Sequence, residues 1–183
     1  MESKGPIFKE GAVCKRKLST RSIVVENGPM VVLWVLTGTL IFNIGWFYTL
    51  LFAIYIPFSV LWFWRFICTY CANYDTGCCP SGYGKAAAKL FLFRDEKKFK
   101  QAFNMNMPMV LPYWILPLLA GGYIIYMTYP SVPIWLWMVF IAAMVDGFVI
   151  LPYLSRQVAC SDCLVRDDCP WAAEGGKSKT HGF

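Results

Sequence analysis

The sequence is poor in charge and nearly devoid of histidine, and both shortages narrow what it can be. Of 183 residues only 15% are charged, whereas 57% are hydrophobic. Soluble domains carry roughly 25% charged residues, and mean hydropathy here is +0.48. A soluble enzyme, a nucleic-acid-binding domain and a disordered chain all fit that balance poorly. The one histidine, His181, lies far from any apolar run, so the chain offers no axial ligand for a haem held between helices. Catalytic groupings are missing too. There is no Ser-His-Asp set, and Ser81-Gly82-Tyr83-Gly84 lacks the Lys-Ser/Thr of a phosphate-binding loop, so its glycines read as a tight turn. No small-residue cleavage site follows a short apolar core, and no removable signal peptide is expected.

What the chain has instead is two long uncharged stretches, between Glu26 and Arg65 and between Lys100 and Asp146. A spanning helix takes about 20 apolar residues, so each stretch is too long for one helix and suits two. The fold class is therefore all-α, an integral membrane bundle of four transmembrane helices built as two helical hairpins. Asn43-Ile44-Gly45 interrupts the first stretch, predicting helices over about Met30–Phe42 and Phe47–Ile67, with Pro57 inside the second. Thr128–Pro133 interrupts the second stretch, predicting helices over about Pro108–Met127 and Pro133–Leu154.

The implied order begins with a basic tail over 1–29, a hairpin over 30–67 and a cysteine-rich loop over 68–84. An amphipathic helix over 85–105, a second hairpin over 106–155 and a cysteine-rich tail over 156–183 follow. Lys85, Lys89, Glu96, Lys97 and Lys100 would share one side of the amphipathic helix, and Ala88, Phe91, Leu92, Phe99 and Phe103 the other. That pattern suits an interfacial helix in the headgroup plane.

All 17 Lys and Arg residues fall up to Arg21, from Arg65 to Lys100, or from Arg156 onward. Four spans put these segments on one face, which the positive-inside bias makes cytoplasmic, with both termini inside. The protein is thus expected to be multi-pass, in an inner or plasma membrane. Trp46, Tyr48, Trp62, Trp64, Tyr129 and Trp135 gather toward predicted helix ends, as interfacial aromatic belts do.

The eight cysteines are the chemical signal. Cys68-x2-Cys71 precedes Cys78-Cys79-Pro80, and Cys160-x2-Cys163 precedes Cys169-Pro170. Ile56-Pro57 and Arg65 lead into the first group, Leu151-Pro152 and Arg156 into the second, so one order occurs twice and suggests an internal repeat. Cysteines two residues apart can turn both sulfurs to one point, which is how zinc knuckles and iron–sulfur sites are built. Cys68, Cys71, Cys78, Cys79, Cys160, Cys163 and Cys169 are the expected ligands of a metal site in a cytoplasmic cap, with Cys14 and His181 also available. All-sulfur ligation suits zinc and iron–sulfur clusters alike. The spacing departs from the bacterial ferredoxin run, and zinc tolerates variable spacing better. Disulfides are disfavoured on a cytoplasmic face, and acylation of juxtamembrane cysteines is a further alternative.

Asp146 reads as the only ionisable side chain well inside a span, with no second intramembrane charge to meet it. It is either a structural group hydrogen-bonded to Thr37, Thr39, Asn43 or Ser59, or a proton or cation site. These features point to a non-catalytic subunit or accessory protein of a larger membrane complex, with a metal-stapled cap. Its expected partners are the lipid bilayer and other membrane subunits or further copies of itself; nucleic acid is not one. The alternative is an iron–sulfur electron-transfer protein linking a cytoplasmic redox partner to a quinone.

This topology predicts that a cysteine at Ser131 reacts with an impermeant maleimide outside intact cells, above the background of the unsubstituted protein. Lys177→Cys should react only after permeabilisation, and labelling of Lys177→Cys from outside would overturn the orientation.

Overall fold

The computed structural model describes residues 19–159, and within them every regular element is helical. α1 covers Thr20–Phe42 and α2 Trp46–Phe66, joined through Asn43-Ile44-Gly45 as the sequence predicts. Two short helices follow, α3 over Tyr83–Leu90 and α4 over Phe99–Asn106. α5 covers Pro112–Thr128 and α6 Ile134–Val145. A π-helical turn over Asp146–Ile150 carries α6 into α7, Leu151–Leu154.

Four segments are long and apolar enough to cross a bilayer: Thr20–Phe42, Trp46–Tyr70, Glu96–Thr128 and Ile134–Gln157. Their outward faces carry large apolar side chains such as Val35, Leu50, Ile54, Leu119, Ile141 and Phe148, all exposed. In water so much apolar surface would drive association; against lipid tails it is solvated. The chain is a multi-pass membrane protein.

Two boundaries depart from the sequence reading. α1 begins at Thr20, so residues 20–29 are helix and not basic tail. The Ser19 hydroxyl accepts from the Ser22 N–H at 3.2 Å and caps the first turn. Arg21, Glu26 and Pro29 disguise this turn in the sequence, yet a Pro inside a spanning helix is tolerated where neighbours answer the freed groups. The extension also corrects the view of Asp146, because Glu26 now lies within a spanning helix as well.

The amphipathic helix predicted over 85–105 is split into α3 and α4 by an extended stretch through Phe91. Tertiary bonds outbid helix propensity there. The Arg94 N–H donates to Thr69 O at 2.8 Å, its guanidinium reaches the Tyr70 hydroxyl at 2.8 Å, and the Tyr74 hydroxyl donates to Phe91 O. The Asp95 carboxylate then accepts from the Lys97 N–H at 3.1 Å and restarts the helical turn.

α1 is the central element, packed against α2, α5 and α6. Leu33, Leu40 and Ala143 are fully buried along it, with Tyr113 and Leu136 beside them. α5 and α6 approach so closely at Gly121 that an added Cβ would sit 2.1 Å from the Phe140 ring. α2 runs antiparallel to the 94–113 segment. Between them Trp62 Nε1 donates to Asn106 Oδ1 at 3.2 Å, Ser59 bonds the Tyr113 hydroxyl, and Tyr55 donates to Met109 O.

The glycines separate packing from propensity. A Cβ on Gly84 would lie 2.3 Å from Asn73 O, whereas one on Gly28 meets nothing within 4 Å. Gly84→Ala should therefore lower stability by about 1–3 kcal/mol, as overpacking does. Gly28→Ala should be neutral or stabilising by up to about 1 kcal/mol, as expected inside a helix. Thermal unfolding in detergent checks both, and equal midpoints for the two variants would contradict the packing.

Candidate functional site

At the end of the bundle opposite the two short inter-helix turns, α1, α2, α4, α5 and α7 diverge around a cavity of about 300 Å³. The loop between α2 and α3 closes over it. Three sequence-predicted residues line it: Cys68, Cys71 and Cys79, none of them in a disulfide. Cys68 is buried at the start of a single 3₁₀ turn, Cys68–Tyr70, and the Cys71 N–H donates to Cys68 O at 3.2 Å. Cys79 precedes the tight turn that leads into α3. There Gly82, at φ 78°, takes the left-handed conformation that favours glycine.

The loop is held by its own small core and by bonds to the helices. Cys68, Tyr74 and Ala87 are buried together, with Phe63, Trp64, Tyr83 and Phe93 packed around them. The Asn27 amide on α1 donates to Ser81 O at 3.2 Å and pins the loop to the central helix. Arg65 lies over the rings of Phe66 and Phe91, each centroid 5.6 Å away.

Cys78, expected as a metal ligand, is disulfide-bonded instead, which sets it apart from Cys68, Cys71 and Cys79. Among the described residues no three Cys, His, Asp or Glu side chains come close enough together to hold a metal ion. Cys14, Cys160, Cys163, Cys169 and His181 lie outside the described residues. The second half of the cysteine repeat lies there with them.

Asp146 is 5% exposed at the start of the π-helical turn, and its Oδ2 has no hydrogen-bond partner. The partners expected for it are engaged elsewhere or idle. Thr39 bonds Val35 O at 2.9 Å, Asn43 bonds Thr39 O at 2.7 Å, and Ser59 bonds Ile56 O at 2.8 Å. The Thr37 hydroxyl is buried without a partner. Asp146 does not line the cysteine cavity.

The residues that sequence reasoning missed are Glu26, Asn27, Trp34 and Tyr83, all of which line that cavity. Glu26, Met30 and Trp34 follow one another at helical spacing on α1 and present one stripe to it. The signal was in the sequence, but it reads as a stripe only if the helix begins before Met30. Buried atoms of two of them, Glu26 Oε1 and Trp34 Nε1, have no hydrogen-bond partner. Tyr83 packs against Phe63 and Trp64. Burial, reinforced by the nearby Cys68 and Cys79 thiols and then by Tyr113 and Glu26, pushes its phenol up to about 12.

No family model matches the chain, and neither does any curated protein or solved structure. The arrangement itself must carry the functional reading. It is a largely apolar cavity with three cysteines on its loop wall and, among the described residues, one carboxylate on its α1 wall.

The Tyr83 environment favours the protonated phenol, so its contribution to stability is full below the ordinary tyrosine value of 10.0 and is lost as pH rises toward about 12. Tyr83→Phe should flatten that part of the stability profile relative to the unsubstituted protein. Melting midpoints measured between pH 9.5 and 12 read this out, and parallel profiles would show that Tyr83 is not responsible.

Proposed function

We propose that the chain is a non-catalytic integral membrane subunit whose cysteine-bearing segments share one metal centre, zinc in a structural role, on the cytoplasmic face. The observation that carries this reading is that Cys68, Cys71 and Cys79, none of them in a disulfide, all line one cavity at the end of the bundle. Cys68 and Cys71 would supply two ligands of a four-sulfur shell and the Cys160-x2-Cys163 pair the other two, with Cys79 beside them. Cys68 and Cys71 bracket a turn and Cys79 precedes another. Zinc suits such a set because it accepts thiolates without demanding a fixed spacing. Its binding free energy then becomes folding free energy for the loop. A metal shared in this way would tie the two helical hairpins into one unit.

The iron–sulfur alternative draws on the apolar wall beside the thiols, where a lipid-soluble quinone would meet a cluster. Elemental analysis with a visible spectrum of anaerobically purified protein separates the two. Zinc without colour is expected, lost to similar extents in Ser variants of Cys68, Cys71, Cys160 and Cys163, with double variants adding little. Iron with a broad brown absorbance would favour the redox reading, and protein free of any metal would overturn both.

A further inference from the structure

The cavity holds a second kind of chemistry, on the wall formed by α1. Glu26 lines it, and its Oε1 is buried without a hydrogen-bond partner. Among the described residues no lysine or arginine lines the cavity, so this carboxylate has no cationic neighbour there. The surrounding walls are apolar and aromatic, with the rings of Trp34, Phe63, Tyr83, Phe103 and Tyr113 all contributing. A half-buried carboxylate with one oxygen unanswered, in a helix long and apolar enough to span, is costly and marks a functional site by default. Asn27, Ser59, Asn73, Ser81 and Ser155 add polar atoms, but the lining is mainly apolar, which disfavours a hydrated inorganic cation. A carboxylate in a cavity lined largely by aromatic side chains is instead the complement of an organic ammonium, whose charge is spread over a greasy surface.

The geometry points to this cavity as a binding site for a lipophilic organic cation of the quaternary-ammonium class, with Glu26 as counter-ion and the aromatic walls, Trp34 foremost, enclosing the cation. The cavity volume of about 300 Å³ sits at the small end of ligand pockets, which suits a compact ammonium with one aromatic substituent. The assignment does not need a metal, since it rests on α1 and the aromatic walls and not on the thiols.

Benzyltrimethylammonium is the probe, and neopentylbenzene, its uncharged isostere, is the control. Titration calorimetry of the full chain in detergent should show saturable binding of the ammonium, weakened about tenfold or more in Glu26→Gln. Glu26→Asp should retain part of it, and Asp146→Asn all of it, because Asp146 lies outside the cavity. A second measurement needs no variant. Dicyclohexylcarbodiimide modifies carboxyl groups in apolar sites, and mass spectrometry of the unsubstituted protein should show that the ammonium protects Glu26 while neopentylbenzene does not. If Glu26→Gln fails to fold, that protection decides alone; if the carbodiimide does not reach Glu26, the calorimetry decides. Equal affinity in Glu26→Gln, equal protection by the isostere, or no binding of the ammonium overturns the proposal.

Discussion

Inside a bilayer a polar group has no water to turn to, and each one must be answered by the chain itself or by something the chain binds. The spanning helices answer their own backbones. The connection between α2 and α4 cannot, because it is mostly irregular, and its groups are met one at a time. Thr69 is fully buried, and its carbonyl takes the Arg94 N–H while its hydroxyl returns to Arg65 O at 2.8 Å. Tyr70 takes the Arg94 guanidinium, Tyr74 meets Phe91 O, and Asn27 reaches across from α1 to Ser81 O. These bonds fold the loop back over the bundle end, and the cavity exists because the loop is held there while the helices beneath it diverge.

The same constraint makes the unanswered groups informative. Where polar side chains on these helices serve architecture, they are visibly paired: Ser59 with Tyr113, Trp62 with Asn106, Trp114 Nε1 with Gly147 O at 3.0 Å. Glu26 Oε1 and Trp34 Nε1 are buried without partners, and both residues lie on the stripe of α1 that faces the cavity. Of the two, the carboxylate oxygen is the one a cation would answer. Trp64 Nε1, Thr37 Oγ1 and Asp146 Oδ2 are also unanswered, on residues that do not line that cavity, the last of them at Asp146–Ile150. There the π-helical turn loosens the backbone ladder and Trp114 fills the space beside Gly147.

Long apolar periodicity is a strong signal, and with it the spans, the Asn43-Ile44-Gly45 break and the position of Pro57 were legible in the sequence. So was the reading of Gly82 as a turn glycine, since its left-handed φ favours the missing side chain; Gly84 lies inside α3 instead, where contact with the Asn73 carbonyl excludes a Cβ. The start of α1 was not legible. Arg21, Glu26 and Pro29 each argue locally against a spanning helix, and only the Ser19 cap and the packing of α1 against its neighbours outweigh them. The single amphipathic helix over 85–105 failed for the opposite reason. Its periodicity is sound, but long-range bonds from Thr69, Tyr70 and Tyr74 pull Phe91 and Arg94 into extended backbone. Glu26 followed from the first of these errors: placed in a tail it is an ordinary surface acid, and placed in α1 it is a carboxylate at a cavity wall.

The thiol wall and the carboxylate wall are linked through a short path. Asn27 is next to Glu26 in sequence and bonds Ser81, which lies two residues from Cys79 and accepts or donates to its sulfur at 3.3 Å. Tyr83, two residues further on, feels Cys68, Cys79 and Glu26 together. The charge state of the cysteines therefore acts on the carboxylate site through a low-dielectric space. With neutral thiols, Glu26 is the one carboxylate among the described residues that line the cavity. Four thiolates around a divalent zinc ion carry a net negative charge and deepen the potential that an organic cation meets there, whereas oxidation of the same cysteines to disulfides removes that charge. Under the two proposals, metal loading and cation binding reinforce each other in sign, and by linkage a bound cation raises the affinity of the sulfur site for its metal by the same factor.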